Sequence, residues 1–166
     1  MIPAGHHLAE LNVGRLLAPT DDPRVAEFMA ALDQVNGLGK RMPGFVWIME
    51  GSGEPNTGNT DAKIGGDPQF VFNLTVWESV ETLEAFVFNT VHRQFYERRR
   101  EWFEVLDRMH FVMWWVPQGH QPSLEEGIER LDHLQAHGNS DFAFGWSWLE
   151  TAKLYRERAC GRVAAE

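Results

Sequence analysis

The stretch from Phe70 to His120 constrains the fold most, because it contains two strongly apolar strands separated by a long helical segment. In both predicted strands, Phe70 to Trp77 and His110 to Val116, apolar side chains occupy both alternating faces. Such strands belong to a sheet that is covered on both sides. The chain therefore needs helices on one side of its sheet and a second cover on the other.

Two further strands precede this stretch. His6 to Arg15 alternates an apolar face with a mixed face that contains Glu10. Phe45 to Glu50 follows a Pro-Gly turn and predicts a short strand. Strict alternation there places Phe45, Trp47 and Met49 on one face of the sheet.

Two helices are predicted within this framework. Asp22 and Pro23 are typical of a helix start, and apolar residues then recur at helical spacing until a glycine, Gly37 or Gly39, is expected to end the helix. Ser79 is the predicted cap of the long second helix, and a bend near Asn89 and Thr90 is expected.

The element order is β-α-β-β-α-β, which predicts an α+β ferredoxin-like fold with an antiparallel sheet. In that fold both helices cover one face of the sheet. The other face is apolar here, and monomers seldom expose so large an apolar surface. A second subunit, or the C-terminal third of the chain, must therefore cover it.

The C-terminal third supplies a helix from Ser123 to Ala136, which Gly138 ends, and a short strand from Phe142 to Leu149. We expect residues 1–149 to form a single domain and residues 150–166 to be a basic tail that is able to form a helix. The segment from Gly51 to Pro68 lacks periodicity and is either a lid or disordered.

Charge and cysteine content exclude several classes of partner. The net charge of −9 argues against nucleic acid, and no apolar run is long enough to cross a membrane. The single cysteine, Cys160, cannot form an internal disulfide, so a reducing cytoplasm is expected.

Candidate catalytic residues lie on the long helix. His92, Tyr96, Arg99 and Phe103 follow one another at i, i+4, i+7 and i+11, which places an imidazole, a phenol and a guanidinium on one stripe. These groups suit acid–base chemistry on a small oxygenated molecule. The alternative is that they are amphipathic residues at the margin of the core.

Other histidines are open to two interpretations. His120 follows a buried strand, where loops often carry function, or it serves only as a turn residue. His133 and His137 have the spacing of a two-histidine metal face, but helix capping explains His137 equally well, and we predict no metal site. His6 could pair with Glu10 unless the terminus is frayed.

Motifs on both sides of the long helix carry a resemblance to a known superfamily. Residues 75–86 read TVWESVETLEAF and are followed by His92-Arg93-Gln94-Phe95, which resembles the antibiotic biosynthesis monooxygenase-like, dimeric α+β barrel proteins. Further motifs, Arg98 to Phe103, Trp114 to Pro117 and Gly119-His120, are more similar to a bacterial branch that is labelled a domain of unknown function.

The resemblance implies a homodimer whose subunits each enclose a pocket between sheet and helices. In that superfamily the activities are cofactor-free oxygenation, haem binding or breakdown, and non-oxidative conversion of small molecules. We therefore expect an enzyme or binding protein for a hydrophobic or aromatic molecule that uses no cofactor. His92, Tyr96, Arg99 and His120 are its candidate catalytic residues. The aromatic residues expected to contact the substrate are Trp47, Phe95, Phe103, Trp114 and Trp115.

Two alternatives stay open beside this hypothesis. His92 matches the iron ligand of haem-binding relatives, which makes haem the alternative cofactor. A non-catalytic ligand-binding module is the other alternative.

Overall fold

Four strands form one antiparallel sheet in the computed structural model, which describes residues 2–51 and 64–157. The strands are β1 (His6–Arg15), β2 (Phe45–Ile48), β3 (Phe70–Trp77) and β4 (Phe111–Pro117). Their spatial order is β2-β3-β1-β4, which is the order of a ferredoxin-like fold. The predicted α+β fold class is confirmed.

Four α-helices surround the sheet: α1 (Ala26–Arg41), α2 (Val80–Asn89), α3 (His92–Arg98) and α4 (Leu124–His137). Short 3-10 turns occur at Pro23–Val25, Ile64–Gly66, Arg99–Glu101 and Trp146–Trp148, and residues 153–157 are helical. Within the described residues, no helix combines the length and the apolar character needed to cross a bilayer.

Strand β1 lies in the middle of the sheet and separates two faces. Leu8 and Glu10 point to the face that carries α1 and α2, which we call the α1–α2 face, where Leu8 packs with Trp77 and Phe86. Ala9 and Leu11 point to the opposite face, which we call the α4 face. The predicted division of β1 into an apolar and a mixed face is confirmed.

Helix α4 covers the second face of the sheet. Its Leu131 and Leu134 belong to the same buried cluster as Leu11, Leu74 and other apolar residues of the central strands. Gly127 lets the helix lie close to the sheet, because a Cβ atom at this position would be only 2.9 Å from the side chain of Leu11. Of the two predicted covers, the C-terminal third of the chain is the one that the described structure contains.

The three predicted helix starts are confirmed by their hydrogen bonds. Asp22 directly precedes Pro23, and its carboxylate accepts a hydrogen bond from the backbone N–H of Arg24 at 2.9 Å. Ser79 and Thr82 form a reciprocal capping box at the start of α2. Ser123 caps α4, which ends at Gly138 in a conformation with φ of 74°.

The prediction that Gly37 or Gly39 ends the first helix is wrong. Helix α1 continues to Arg41, and both glycines lie buried inside it. A Cβ at Gly39 would approach the ring of Phe86 to 3.2 Å, so the missing side chain lets α1 pack closely on α2. This tertiary contact outweighs the low helix propensity of glycine.

The predicted alternation of β2 is also wrong. The pairing with β3 shifts between Phe45 and Trp47, so that Phe45 lies opposite Trp77 while Trp47 lies opposite Val76. An irregularity of this kind changes the face to which the following residues point. Phe45 therefore packs on the α1–α2 face, whereas Trp47 and Met49 pack on the α4 face.

The bend expected near Asn89 and Thr90 is confirmed as a break between α2 and α3. The hydroxyl of Thr90 donates to the carbonyl of Phe86 at 2.7 Å and accepts from the N–H of His92 at 3.2 Å. The side chain thus provides hydrogen bonds at the end of one helix and the start of the next.

The predicted strand from Phe142 to Leu149 is wrong. Phe144 makes one isolated bridge to Met113 of β4, and a 3-10 turn follows at once. Trp146 then stacks on Phe111, which replaces further strand pairing with aromatic contact. The lid or disorder predicted for Gly51 to Pro68 falls mainly on residues 52–63, which, like Cys160, lie outside the described residues.

Candidate functional site

A row of polar side chains crosses the two central strands on the α1–α2 face. Glu10 lies opposite Thr75, and Asn12 lies opposite Asn73, so the four residues form two adjacent cross-strand pairs. Directly opposite residues on one face are within side-chain contact distance. Helix α1 adds Asn36, whose side-chain oxygen accepts from the amide of Asn73 at 3.5 Å. We call these five residues the Glu10 site.

One oxygen of the Glu10 carboxyl is held by a chain of hydrogen bonds. The indole N–H of Trp77 donates to the hydroxyl of Thr75 at 2.8 Å. The same hydroxyl donates to Oε1 of Glu10 at 2.6 Å. Because the indole donates to the hydroxyl and the hydroxyl in turn donates to the carboxyl, the chain orients the carboxyl and stabilises its ionised form.

The other oxygen of Glu10 is buried without a hydrogen-bond partner among the described residues. Only 5% of the residue is exposed. Burial raises the pKa of Glu10 from 4.5 to about 7, although the hydroxyl of Thr75 and, more weakly, the nearby side chain of Asn12 act to lower it. Both protonation states of this carboxyl are thus populated near neutral pH, as general acid–base chemistry requires.

The site continues from the buried carboxyl toward the surface. Thr75 and Asn36 are buried, whereas Asn12 and Asn73 are part-exposed. The side-chain oxygen of Asn73 is itself buried and has no partner among the described residues. On the α1–α2 face, the two central strands therefore present two acceptor atoms without a partner among the described residues, on Glu10 and on Asn73.

His92, the leading sequence candidate, lies apart from Glu10. Its Nδ1 is 3.3 Å from the carbonyl oxygen of Val87, and its ring packs against Phe86 with 4.8 Å between ring centroids. Phe86 in turn stacks on Trp77, so this aromatic pair lies between the imidazole and the Glu10 site. Burial lowers the pKa of His92 to about 4, which leaves the imidazole neutral at physiological pH.

Tyr96 and Arg99 form a pair of their own. The guanidinium of Arg99 lies 4.6 Å from the centre of the Tyr96 ring and donates to the backbone carbonyl of Tyr96 at 2.8 Å. Tyr96 also meets Phe88 edge to face. The ring of Tyr96 therefore packs on Phe88 of α2, whereas the ring of His92 packs on Phe86, two residues earlier in the same helix.

The predicted straight stripe ends with α3. Arg99 starts a 3-10 turn, and Phe103 lies beyond it in an isolated bridge with Leu16. The ring of Phe103 packs edge to face on Phe28, and Phe95 packs on Trp102. Both residues act as packing groups in these contacts.

His120 belongs to the other side of the sheet. Its Nε2 lies 2.8 Å from a carboxylate oxygen of Glu126 on α4. The second oxygen of Glu126 accepts from the indole of Trp114 at 2.8 Å. Trp114 points to the α4 face, so the structure does not bring His120 together with His92.

The predicted substrate-contacting tryptophans are likewise divided between the two faces. Trp47 packs on the α4 face with Trp114, which is fully buried. Trp115 packs on the α1–α2 face and contacts Phe144 at 5.1 Å between ring centroids. Alternation along β4 predicts this separation of Trp114 from Trp115.

Three further histidines, His6, His133 and His137, have local contacts. His133 lies 4.7 Å from His137 between ring centroids, and its Nε2 is 3.2 Å from the hydroxyl of Ser140. His6 Nδ1 lies 3.0 Å from the carbonyl oxygen of Ala4. The described part of the chain contains no group of three or more side chains suited to hold a metal ion.

Two clefts on the surface of the described chain are large enough to hold a small molecule. One, of about 490 Å³, lies at the α2–α3 junction and is lined by Asn89, Arg93 and Gln94, among others. The second, of about 550 Å³, lies beside α4 and is lined by Ile64, Leu124 and Ile128 together with acidic residues. Neither cleft is lined by a residue of the Glu10 site.

Sequence reasoning noted Glu10 on the mixed face of β1 but did not choose it as a site residue. The available signal was a polar residue at alternate positions in two strands, Glu10 and Asn12 in one and Asn73 and Thr75 in the other. The pairing register that makes them neighbours comes only from the structure.

The fold and this polar row define an α+β sheet protein with a buried acidic group between its sheet and helices. Residues 7–160 match a family model described as domain of unknown function (DUF3291), and the chain belongs to that family. Searches of curated proteins and of solved structures give no significant match.

Proposed function

We propose that this protein binds a small hydrophobic organic molecule between the sheet and helices α1 to α3, and that Glu10 exchanges a proton with it. The proposal keeps the predicted antibiotic biosynthesis monooxygenase-like type of small-molecule enzyme, without a nucleotide cofactor. It moves the acid–base role from His92 to Glu10.

The observation that carries the proposal is a buried carboxyl without a compensating charge. No charged side chain is among the causes that set the pKa of Glu10. Burying such a group costs several kcal/mol unless it is paired. A perturbed acid in the centre of a rigid sheet is a candidate functional group on physical grounds.

The two carboxyl oxygens would have different tasks. Thr75 holds Oε1 at 2.6 Å and so sets the plane of the carboxyl. The free Oε2 would take a proton from the bound molecule, which breaks one bond to hydrogen and forms the O–H bond of the acid. The reverse transfer would return the proton to the product and restore the carboxylate.

The apolar part of the molecule would lie against aromatic side chains next to the site. Trp77 stacks on Phe86 with 5.3 Å between centroids, and Phe45 meets Trp77 edge to face at 5.5 Å. Aromatic walls with a few polar groups are typical of small-molecule sites.

Haem is the alternative cofactor, with His92 as the iron ligand. The ring of His92 packs against Phe86 with 4.8 Å between ring centroids and lies apart from Glu10, to which the acid–base role is assigned. The proposal therefore assigns no role to haem. Addition of haemin to the purified protein checks this choice, and a Soret shift that His92→Ala abolishes would favour the haem alternative.

A ligand screen with matched variants tests the proposal. Small aromatic and aliphatic molecules are screened by thermal shift against the native chain, Glu10→Gln and Glu84→Gln. Glu84→Gln is the matched control, because it changes a buried acid on α2 that lies outside the site. We expect at least one compound to stabilise the native chain and Glu84→Gln but not Glu10→Gln. If every hit binds Glu10→Gln as well as the native chain, the site assignment is wrong.

Proton exchange and catalysis need a second measurement. Carbon-13 NMR of labelled glutamate follows the titration of Glu10 with and without a hit, and we expect the bound molecule to displace the titration midpoint. Conversion of a hit that ceases in Glu10→Gln indicates an enzyme. Binding without any conversion favours the non-catalytic module.

A homodimer also belongs to the proposal. Because α4 covers the α4 face, a second copy would dock on another surface of the described chain. Sedimentation equilibrium measures the association, and a concentration-independent monomer mass would remove the dimer.

A further inference from the structure

We propose that the polar end of the molecule bound at the Glu10 site is a protonated primary amine. This inference rests on the proposed function and names the chemical class of its ligand. It follows from three features of the site: its unpartnered atoms are hydrogen-bond acceptors, no positive side chain among the described residues balances Glu10, and aromatic rings lie beside it.

The free atoms of the site are acceptors. Oε2 of Glu10 and Oδ1 of Asn73 are buried and lack hydrogen-bond partners among the described residues. The two residues are diagonal neighbours on adjacent strands, since Glu10 pairs with Thr75 and Asn73 lies two positions before Thr75. Diagonal side chains on one face are close enough for one small group to contact both. A primary ammonium offers three donors and no acceptor, as a lysine side chain does.

The site lacks a positive charge that would balance an ionised Glu10. The polar groups that face Glu10 from the strands are Thr75 and Asn12, and Met113 lies opposite it on β4. None of these three side chains carries a charge. An ionised buried carboxyl is stable only when it is paired, so a cation on the ligand would complete the site.

The same arrangement discriminates against anions. A ligand carboxylate would bring a second negative charge next to Glu10 and would offer only acceptors to two acceptor atoms. A neutral alcohol would supply a donor without the charge. The rings of Trp77, Phe86 and Phe45 favour an apolar body, and their faces attract a cation.

Four probes of one size separate these properties. Benzylamine carries both charge and donors, and benzyl alcohol carries a donor alone. Benzyltrimethylammonium carries charge without donors, and benzoate carries the opposite charge. Each is titrated calorimetrically at one pH into the native chain, Glu10→Gln and Glu84→Gln, and circular dichroism first establishes that each variant is folded.

We expect benzylamine to bind the native chain and Glu84→Gln at least about tenfold more tightly than the other three probes, because hydrogen bonds to charged groups are the stronger ones. Glu10→Gln should lose about tenfold or more of this affinity, since its amide presents a donor and no charge. Asn73→Leu should weaken the amine by a smaller factor.

Several results would overturn the inference. If benzyl alcohol binds as tightly as benzylamine and depends on Glu10, the ligand is a neutral donor and only the proposed function survives. Equal binding of benzyltrimethylammonium would show that charge acts without the hydrogen bonds. If no probe binds the native chain, the amine assignment fails, and the ligand screen decides the proposed function independently.

Discussion

Glu10 and Glu84 are both buried glutamates on the same side of the sheet, yet their surroundings differ. Glu10 is 5% exposed and has one oxygen without a hydrogen-bond partner in the described chain. Glu84, on α2, is 2% exposed, and its Oε1 accepts from the backbone N–H of Tyr155 at 2.9 Å. The role of a buried acid is therefore decided by its hydrogen-bond partners rather than by how deeply it is buried.

The partners of Glu84 give it a structural role. Burial raises its pKa, while backbone N–H groups of Lys153, Leu154 and Tyr155 act to lower it. These N–H groups belong to the first turn of the helical residues 153–157, where a helix cannot supply their usual acceptors, and the N–H of Lys153 also donates to the carbonyl of Thr151 at 2.9 Å. A carboxylate there also interacts favourably with the helix dipole. Glu84 thus caps the C-terminal segment and joins it to α2.

The largest expected effect concerns the pH dependence that Glu10 gives to stability. Its pKa is about 7 in the folded chain and 4.5 in the reference state, so the native state keeps a proton that the unfolded state loses. The free energy of unfolding should therefore fall by about 3 kcal/mol between pH 4.5 and 7 on account of this group. Urea denaturation of Glu10→Gln at several pH values should lack this component. An identical pH profile for variant and native chain would mean that Glu10 ionises normally.

His92 should make the free energy of unfolding change with pH in the opposite direction, and its partial exposure should reduce this change somewhat. Its pKa falls from 6.5 to about 4 on folding, so the unfolded state binds the proton more readily. Stability from this group is present above pH 6.5 and lost as the pH falls toward 4, with a loss of up to about 3 kcal/mol.

The slopes of Glu10 and His92 oppose each other between pH 4.5 and 6.5. The native chain should consequently show a flatter profile there than either single variant. His92→Gln should become less stable as the pH rises through this range, whereas Glu10→Gln should become more stable. Parallel profiles for the two variants would contradict both assignments.

Loss of the Glu84 cap should cost about 2 kcal/mol, because an amide cannot accept from several backbone N–H groups as a carboxylate does. Glu84→Gln is compared by urea denaturation with Glu129→Gln, an exposed change on α4 that should stay within about 0.5 kcal/mol. Hydrogen exchange should accelerate at residues 153–157 in Glu84→Gln alone. Unchanged protection there would show that the cap is dispensable.

The smallest expected effect comes from the hydroxyl that connects Trp77 to Glu10. Thr75→Val removes a hydrogen bond that lowers the pKa of Glu10, so this pKa should rise further. It also leaves the indole N–H without its acceptor, at a cost of about 1 kcal/mol. Carbon-13 NMR titration measures the pKa. Thr90→Val, at the α2–α3 break, serves as control and should leave that pKa unchanged.

Local sequence signals predicted the scaffold well where neighbouring residues decide the structure. Asp22, Ser79 and Ser123 cap their helices through side chains that contact the next turn, so a short window of sequence contains the information. Strand β1 followed from alternation of apolar and mixed residues, whereas β3 and β4 followed from short runs that are apolar on both faces. The errors at Gly39 and at β2 arose from contacts with residues far along the chain, Phe86 in the first case and Trp77 and Val76 in the second.

The candidate site was harder to predict for the same reason. His92 was conspicuous because histidine titrates near neutral pH, but its contact with Phe86 and the burial of its ring are tertiary effects. Glu10 is an ordinary acid until β1 and β3 pair in the register that brings it to Thr75. The break at Thr90 and the turn at Arg99 then separate groups that one straight helix would have aligned.

The position of α4 has a consequence for shortened forms of the protein. A chain that ends after Pro117 would keep all four strands and their order, but Leu11, Leu74 and Val112 would meet water. Such a fragment is expected to aggregate or to recruit foreign apolar surfaces, even though its β-sheet is complete. Any attempt to isolate the sheet with its α1–α2 layer must therefore bring the last helix along.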